Sequence, residues 1–203
     1  MKLAVATGNS NKVREIQEIL DTDEIQAVTM RELGFEGDII EDGSSFCENA
    51  RIKARALYDF LKAQKINDCY VLADDSGFEV DYLDKMPGIY SARFLGEDTS
   101  YTIKNQYLID KLDGVPDELR SARFVCCMAA VAPDGRELTV QETMEGILAR
   151  ESAGNNGFGY DPILYLPDRG CTSAQLSPKE KNLISHRGKA LRRIISMIME
   201  ELC

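Results

Sequence analysis

The chain opens on a short apolar run, Leu3 to Ala6, closed at once by Thr7, Gly8 and Asn9. Apolar residues bounded by turn formers read as a short buried strand over Lys2 to Ala6. From Asn11 to Leu20 the spacing changes: Val13, Ile16, Ile19 and Leu20 form one face of an amphipathic helix. A second short strand is expected over Ile25 to Thr29. Ser45-x-x-Glu48 has the form of a capping box, so a helix is predicted to start there and run towards Ala63, with Phe46, Leu57, Phe60 and Leu61 at helical period. Tyr70 to Ala73 reads as a strand leading into a polar loop, Asp74-Asp75-Ser76-Gly77. Thr99 or Ser100 is placed to cap a helix containing Ile103, Tyr107, Leu108 and Leu112. Phe124 to Ala132 and Glu137 to Ile147 read as long strands joined by a turn at Pro133-Asp134-Gly135-Arg136. Ser177-Pro178-Lys179-Glu180 combines a cap, a proline at the first helical position and a glutamate at the third. The last helix, His186 to Glu201, carries Ala190, Leu191, Ile194, Ile195 and Ile198. Alternating strands and helices followed by a hairpin predict an α/β fold with a mixed sheet, in one domain or two tightly joined lobes.

No repeat and no Pro/Gly/Ser-rich linker divides the 203 residues, so 1–203 is read as a single domain. Lys plus Arg number 24 and Asp plus Glu 34, a formal charge of −10 that argues against nucleic-acid binding over the whole surface and leaves room only for a local basic patch. The longest apolar run, Phe124 to Ala132, is too short to cross a bilayer, and no secretory signal is visible, so neither membrane nor export is expected. Six cysteines (Cys47, Cys69, Cys126, Cys127, Cys171, Cys203) show no C-x-x-C spacing and are read as reduced thiols of a cytoplasmic protein. Cys126 and Cys127, adjacent on a strand, would point to opposite faces and pack. A single histidine excludes a His-rich metal centre.

Four constellations carry candidate chemistry. Thr7-Gly8-Asn9-Ser10-Asn11-Lys12 joins the first strand to the first helix, where free N–H groups and a positive dipole end suit phosphate. It lacks the Walker A spacing, and taken alone it reads more readily as a capped strand-to-helix turn than as a phosphate site. Glu36, Asp38, Glu41, Asp42 and Glu48 form an acidic stretch without Lys or Arg, and Asp74-Asp75 follows an apolar strand. Carboxylates at a strand end are a usual way to hold Mg²⁺ beside a phosphorylated substrate; Glu36 and Asp38 read as solvated loop. Gly154 to Pro162 holds three glycines, Phe158, Tyr160 and Asp161, a loop able to lie against a flat ligand or, equally, an irregular turn whose aromatics plug the core. Lys179 to Arg193 holds six cations against Glu180 alone. Cations at the start of the last helix oppose its dipole, so an anionic ligand is the simplest reason for them. The lone His186 lies among them, and a lone histidine is more often structural.

Taken in order, Thr7-Gly8-Asn9-x-x-Lys12, Phe46-x-Glu48-Asn49-Ala50-x-x-Lys53-Ala54, Ala73-Asp74-Asp75-Ser76-Gly77, Pro87-Gly88-Ile89-Tyr90-Ser91-Ala92-Arg93, Gly157-Phe158-Gly159-Tyr160-Asp161-Pro162 and Ser185-His186-Arg187-Gly188 closely resemble the inosine triphosphate pyrophosphatase family. The resemblance spans Lys2 to about Arg193; Asn155-Asn156 and Leu164 are minor departures. It implies an elongated mixed sheet flanked by helices, two lobes with a central cleft, a homodimer, and Mg²⁺. It implies hydrolysis of deaminated purine nucleoside triphosphates (ITP, dITP, XTP) to the monophosphate and pyrophosphate. Carried over by position, Thr7, Gly8, Asn9, Ser10, Asn11, Lys12 and Lys53 would hold phosphates. Glu41 and Asp75 would bind Mg²⁺, with Asp75 also the general base. Ser76 would touch phosphate or sugar, and Phe158, Gly159, Tyr160, Asp161, Lys181, His186 and Arg187 would bind base and ribose. Two other readings remain at this point: a Maf-like pyrophosphatase with another base preference, and a non-catalytic nucleotide-binding or RNA-associated protein using the basic stretch.

Overall fold

The computed structural model describes residues 1–20 and 25–201. Its strands are β1 (Lys2–Val5), β2 (Gln26–Thr29), β3 (Tyr70–Val80), β4 (Met86–Gly88), β5 (Ser121–Val131), β6 (Glu137–Leu148), β7 (Leu164–Leu166) and β8 (Cys171–Thr172). They form a mixed sheet in the order β2-β1-β3-β5-β6-β7-β8, with β4 pairing β3 off this path. β1 runs parallel to β2 and β3. β4 is antiparallel to β3, and β7 is antiparallel to β6 and β8. The helices are α1 (Ser10–Ile19), α2 (Phe46–Ala63), α3 (Tyr101–Lys111), α4 (Pro178–Ile184) and α5 (His186–Glu201). The result is a mixed α/β fold with helices flanking a central mixed sheet, as the alternation of periods predicts.

The chain forms two compact units. One comprises Met1–Asp75, Cys126–Glu142 and Arg187–Cys203; the other comprises Ser76–Val125 and Thr143–His186. Each has its own apolar core. In the first, Leu3, Val5, Leu72, Cys126, Met128 and Ala130 pack with Ile16 of α1 and Leu191, Ile194 and Ile198 of α5. In the second, Phe78, Val80, Leu108, Leu112, Phe124, Met144, Leu148 and Ile163 pack together. Each fully buried Leu, Ile or Phe contributes about 1.5–3 kcal/mol, which fixes the sheet that carries the charged residues described below. Arg120, buried in the second unit, donates to the carbonyls of Leu148 (2.8 Å), Leu112 and Ala149 (2.9 Å). One guanidinium thereby ties the end of β6 to the end of α3.

The caps are where polar side chains can accept the orphan N–H groups of a first turn. Ser45 accepts from Glu48 N at 3.2 Å, Ser100 caps α3, and Ser177 and Glu180 form a full capping box on α4. At α2 the box is incomplete. Glu48 reaches back to Ser44 N and Oγ, both at 2.7 Å, rather than to Ser45.

Two expectations are corrected here. Asp74 to Gly77 is not a loop: β3 continues to Val80, because cations of the surrounding helices neutralise the strand's carboxylates. Nor are the cysteines all reduced. Cys47, in the first turn of α2, and Cys127 of β5 form a disulfide, their Cα atoms 5.1 Å apart. Cys69, Cys126 and Cys171 are free; Cys203 lies outside the described residues. Among the described residues no helix is long and apolar enough to cross a membrane.

Candidate active site

In the first unit, adjacent carboxylates on β3 stand in different electrostatic surroundings. Asp74 is fully buried. Its Oδ2 accepts from Arg187 Nε at 2.8 Å and from the Cys126 thiol at 3.2 Å, and its Oδ1 accepts from Lys12. Burial alone would raise this carboxyl, but Arg187 and Lys12 outweigh it and hold it well below the usual carboxylate range. Arg187 also pairs through Nη1 with the buried Glu15 of α1. Burial and the neighbouring Asp74 push the Cys126 thiol well up, so it remains a donor. Two anions thus meet two cations, and this set is balanced.

Asp75 is not balanced in that way. Its Oδ1 accepts from Lys53 Nζ at 2.8 Å and its Oδ2 from Asn49 Nδ2 at 3.4 Å. The same ammonium donates to Glu41 Oε2 at 2.8 Å. Burial opposes the charge of Lys53, but Asp75 and Glu41 prevail and raise it above the ordinary lysine value. Burial raises the Asp75 carboxyl despite Lys53 and the more distant Lys12, with Glu41 adding to the rise. Two carboxylates therefore share one ammonium, a surplus of one negative charge.

Among the described residues no group of three or more His, Cys, Asp or Glu is gathered to hold an ion. Mg²⁺ does not require one: it typically takes one or two carboxylates, completing its shell with water and phosphate oxygen. Glu41 and Asp75, two hard oxygen donors held by one lysine with net negative charge, fit that demand.

The turn before α1 is organised by its own side chains. Asn9 caps the helix, its Oδ1 accepting from Asn11 N (3.0 Å) and Lys12 N (3.3 Å), while Asn9 N donates to Thr7 Oγ1 at 3.2 Å. Gly8 and Ser10 complete this turn, and Lys12 points from α1 to Asp74. Ser76 follows Asp75 on β3 and is half-buried.

In the second unit the Gly-rich segment is a firmly tied loop. Asp161 Oδ2 accepts from Phe158 N at 2.8 Å and from Lys181 Nζ at 2.6 Å, and its Oδ1 accepts from Ser173 Oγ at 2.8 Å. Gly157 has a φ of 72°, and a Cβ there would run into the Asp161 carboxylate, so only glycine fits. Lys181 Nζ lies 5.2 Å from the centre of the Phe158 ring. Tyr160 is buried: its ring stacks on Phe78 at 5.1 Å and its hydroxyl donates to Ser91 O at 2.8 Å. The plugging role weighed for this loop's aromatics therefore falls to Tyr160, while Phe158 and Gly159 stay half-buried. His186 is buried and stacks on Phe124 at 4.8 Å.

The basic stretch finds partners inside the protein. Arg187 meets Asp74 and Glu15, Lys181 meets Asp161, and Arg193 meets Glu142 at 2.8 Å. These carboxylates supply a reason for cations near the start of α5 that needs no ligand. The structure brings Lys12, Asp74 and Arg187 together, and separately Glu41, Lys53 and Asp75, and separately Phe158, Asp161 and Lys181. Sequence reasoning missed Glu15, Asn49, Ser173 and Cys126, each of which fixes a candidate residue. Asn49 lay within a quoted motif and had a signal; Glu15 and Ser173 had none.

Comparison with known proteins agrees with this picture. The model of the Ham1 family matches residues 3–197. A dITP/XTP pyrophosphatase of Treponema denticola is 46% identical over 201 residues, covering 98% of each chain. One of Desulforamulus reducens is 43% identical, covering 98% of this chain and 96% of its own. Among solved structures, a HAM1 protein from Coxiella burnetii superposes with a TM-score of 0.84 at 39% identity, over 98% of this chain and 99% of its own. With so full a match in sequence and in fold, the chain belongs to the Ham1 family.

Proposed function

We propose that this chain hydrolyses deaminated purine nucleoside triphosphates (dITP, XTP and ITP) to the monophosphate and pyrophosphate. The observation that carries the reading is the contrast on β3, where Asp74 is neutralised by the protein's own cations and Asp75 is left with a charge surplus and a raised carboxyl. A general base needs a carboxylate that accepts a proton more readily than an ordinary aspartate does. Asp75 meets that need and Asp74 does not.

In the proposed reaction a water oxygen bonds to the α-phosphorus as the bond to the bridging oxygen breaks, and pyrophosphate leaves. Asp75 takes the water's proton. Lys12 and Lys53 offset the charge of the phosphates, the N–H groups of the turn from Thr7 to Lys12 orient them, and Ser76 contacts phosphate or sugar. Such reactions need positioning and charge neutralisation more than a protein nucleophile. Glu41 and Asp75 would hold Mg²⁺, which would supply further charge neutralisation at the phosphates.

Base recognition falls to the other set. Phe158 offers a face for stacking and Gly159 a close backbone, while Tyr160 and Asp161 act by fixing that loop. Lys181 can only donate, which favours a keto oxygen at C6 over adenine's amine, and the resemblance adds His186 and Arg187 as further contacts to base and ribose. Residues 1–203 act in this reading as one functional domain, working in the cytoplasm as a homodimer. Pyrophosphate release from dITP, XTP, ITP, GTP and ATP, with and without EDTA, tests it. Turnover should favour the deaminated purines and disappear with EDTA. Failure to release pyrophosphate, or a preference for pyrimidine nucleotides, would overturn it.

A further inference from the structure

Asn105 of α3 is buried, and half of its amide is unsatisfied. Its Nδ2 donates to the carbonyl of Gly159 at 3.1 Å, while its Oδ1 is a buried oxygen with no hydrogen-bond partner among the described residues. Leaving an acceptor unpaired in a core costs stability, which offsets what the bond to Gly159 gains. The net contribution of this amide to stability is therefore small, and what distinguishes it is where its bond lands.

Its one bond lands on the Gly-rich loop. Gly157 and Gly159 both have positive φ, at 72° and 69°, so the backbone on either side of Phe158 lacks the usual steric restriction. Each neighbour of Phe158 is tied from a different direction. Asp161 holds Phe158 N, Ser91 O holds the Tyr160 hydroxyl, and Asn105 holds Gly159 O. The first turn of α3 adds Tyr101, edge-on to Tyr160 at 5.3 Å. Lys104 anchors the helix by donating to Ala92 O at 2.6 Å. Asp161 N also donates to the Phe158 carbonyl at 3.3 Å, and of these ties Asn105 alone holds the carbonyl of Gly159, in the Gly159–Tyr160 peptide. Without it the Gly159–Tyr160 peptide can turn about the permissive Gly159, which loosens the backbone that carries the Phe158 ring.

We propose that Asn105 is a positioning residue for base recognition: it fixes the Gly159–Tyr160 peptide, and through Gly159 it holds the loop so that the Phe158 ring presents one face to the purine. The inference rests on the proposed function, in which Phe158 stacks on the base. It predicts an effect on binding of the base and not on the chemical step, because Asn105 touches neither phosphate nor Asp75.

The test uses the full chain with Asn105→Leu, which keeps the volume and removes both the donor and the unpaired acceptor. Melting temperature, kcat and KM for ITP, and the inhibition constants of inosine monophosphate and of inorganic pyrophosphate are measured. Positioning predicts a melting temperature close to the wild type, because the lost donor to Gly159 and the lost unpaired acceptor offset, with kcat within twofold and KM for ITP raised about tenfold. It predicts inosine monophosphate weakened to a similar degree and pyrophosphate, which lacks the base, unchanged. Equal weakening of both inhibitors, or an unchanged KM in a folded variant, overturns the proposal. Failure of both Asn105→Leu and Asn105→Ala to fold would also overturn it by making the residue structural. Wild-type protein that does not hydrolyse ITP would instead defeat the underlying reading, so the two failures are distinguishable.

Discussion

Replacing Arg187 with methionine keeps most of the stem and removes the guanidinium. Two buried carboxylates then lose a partner: Asp74 the bond at 2.8 Å from Nε, and Glu15 its ion pair with Nη1. Removing one member of a buried ion pair costs about 3–5 kcal/mol, because the remaining charge stays desolvated. Lys12 stays beside Asp74, which places the expected loss towards the lower end. For a chain of this length each kcal/mol moves the melting temperature by roughly 2–4 °C, so Arg187→Met should melt about 6–20 °C below wild type. Adding Asp74→Asn to that variant removes one stranded charge, and the double variant should recover part of the loss. A shortfall from additivity of about 0.5–3 kcal/mol is expected for residues in direct contact. Thermal melts at neutral pH on the four proteins measure this directly. A drop of less than about 2 °C in the single variant would refute the claim that Arg187 neutralises these carboxylates. Kinetics of the folded variant below its melting point add a second readout. If Arg187 also reads the base, the ITP/ATP ratio of kcat/KM should fall about tenfold, since a bond from a charged donor is worth roughly 1.5–3 kcal/mol. An unchanged ratio would leave Arg187 to Asp74 and Glu15 alone.

Asp75→Asn should keep the fold and lower kcat by on the order of 10²–10⁴, the usual range for loss of a general base; retention of more than a third of wild-type kcat would move that role elsewhere. Lys12→Met and Lys53→Met should each weaken ITP more than inosine monophosphate, which lacks the β and γ groups, and a binding titration showing equal weakening would place these lysines away from the triphosphate. In oxidised protein Cys47→Ser should cost about 2–4 kcal/mol of stability in urea unfolding, and alkylation of native wild-type protein should spare Cys47 and Cys127. Ready alkylation of both would show that the crosslink does not form in solution.

Local signals are what a sequence displays, and the fold follows them closely. The caps at Ser45, Ser100 and Ser177, the hairpin around Gly135 and the apolar face of α5 each depend on residues a few positions apart, and each lies where the spacing predicts. What the spacing hides is pairing across distance. Glu15 sits in an ordinary amphipathic helix, and its burial depends on Arg187, 172 positions away. Cys47 and Cys127 are separated by 80 residues, and nothing in their spacing indicates connectivity. Asp74 and Asp75 read as loop because two adjacent carboxylates are poor strand formers until cations from α1, α2 and α5 meet them.

That same long-range pairing turns two adjacent carboxylates into groups with different chemistry. Side chains of consecutive strand residues point to opposite faces, so Asp74 and Asp75 face different helices. Asp74 meets Arg187 and Lys12 directly and is driven well down; Asp75 bonds to one lysine already shared with Glu41, feels Lys12 only from farther off, and is driven up by burial. Acid–base roles at neutral pH are assigned by environments that push the pKa values of neighbouring groups apart. In the proposed reaction, moving the base from Asp75 to Asp74 would require removing both Arg187 and Lys12 from Asp74's side, whereas a proton can go to Asp75 while Asp74 stays fixed as the anchor that orients Lys12. The motif Asp74-Asp75 marks the place in the sequence, but the division of labour within it comes from Glu15, Arg187 and Glu41, none of them its neighbours in the chain.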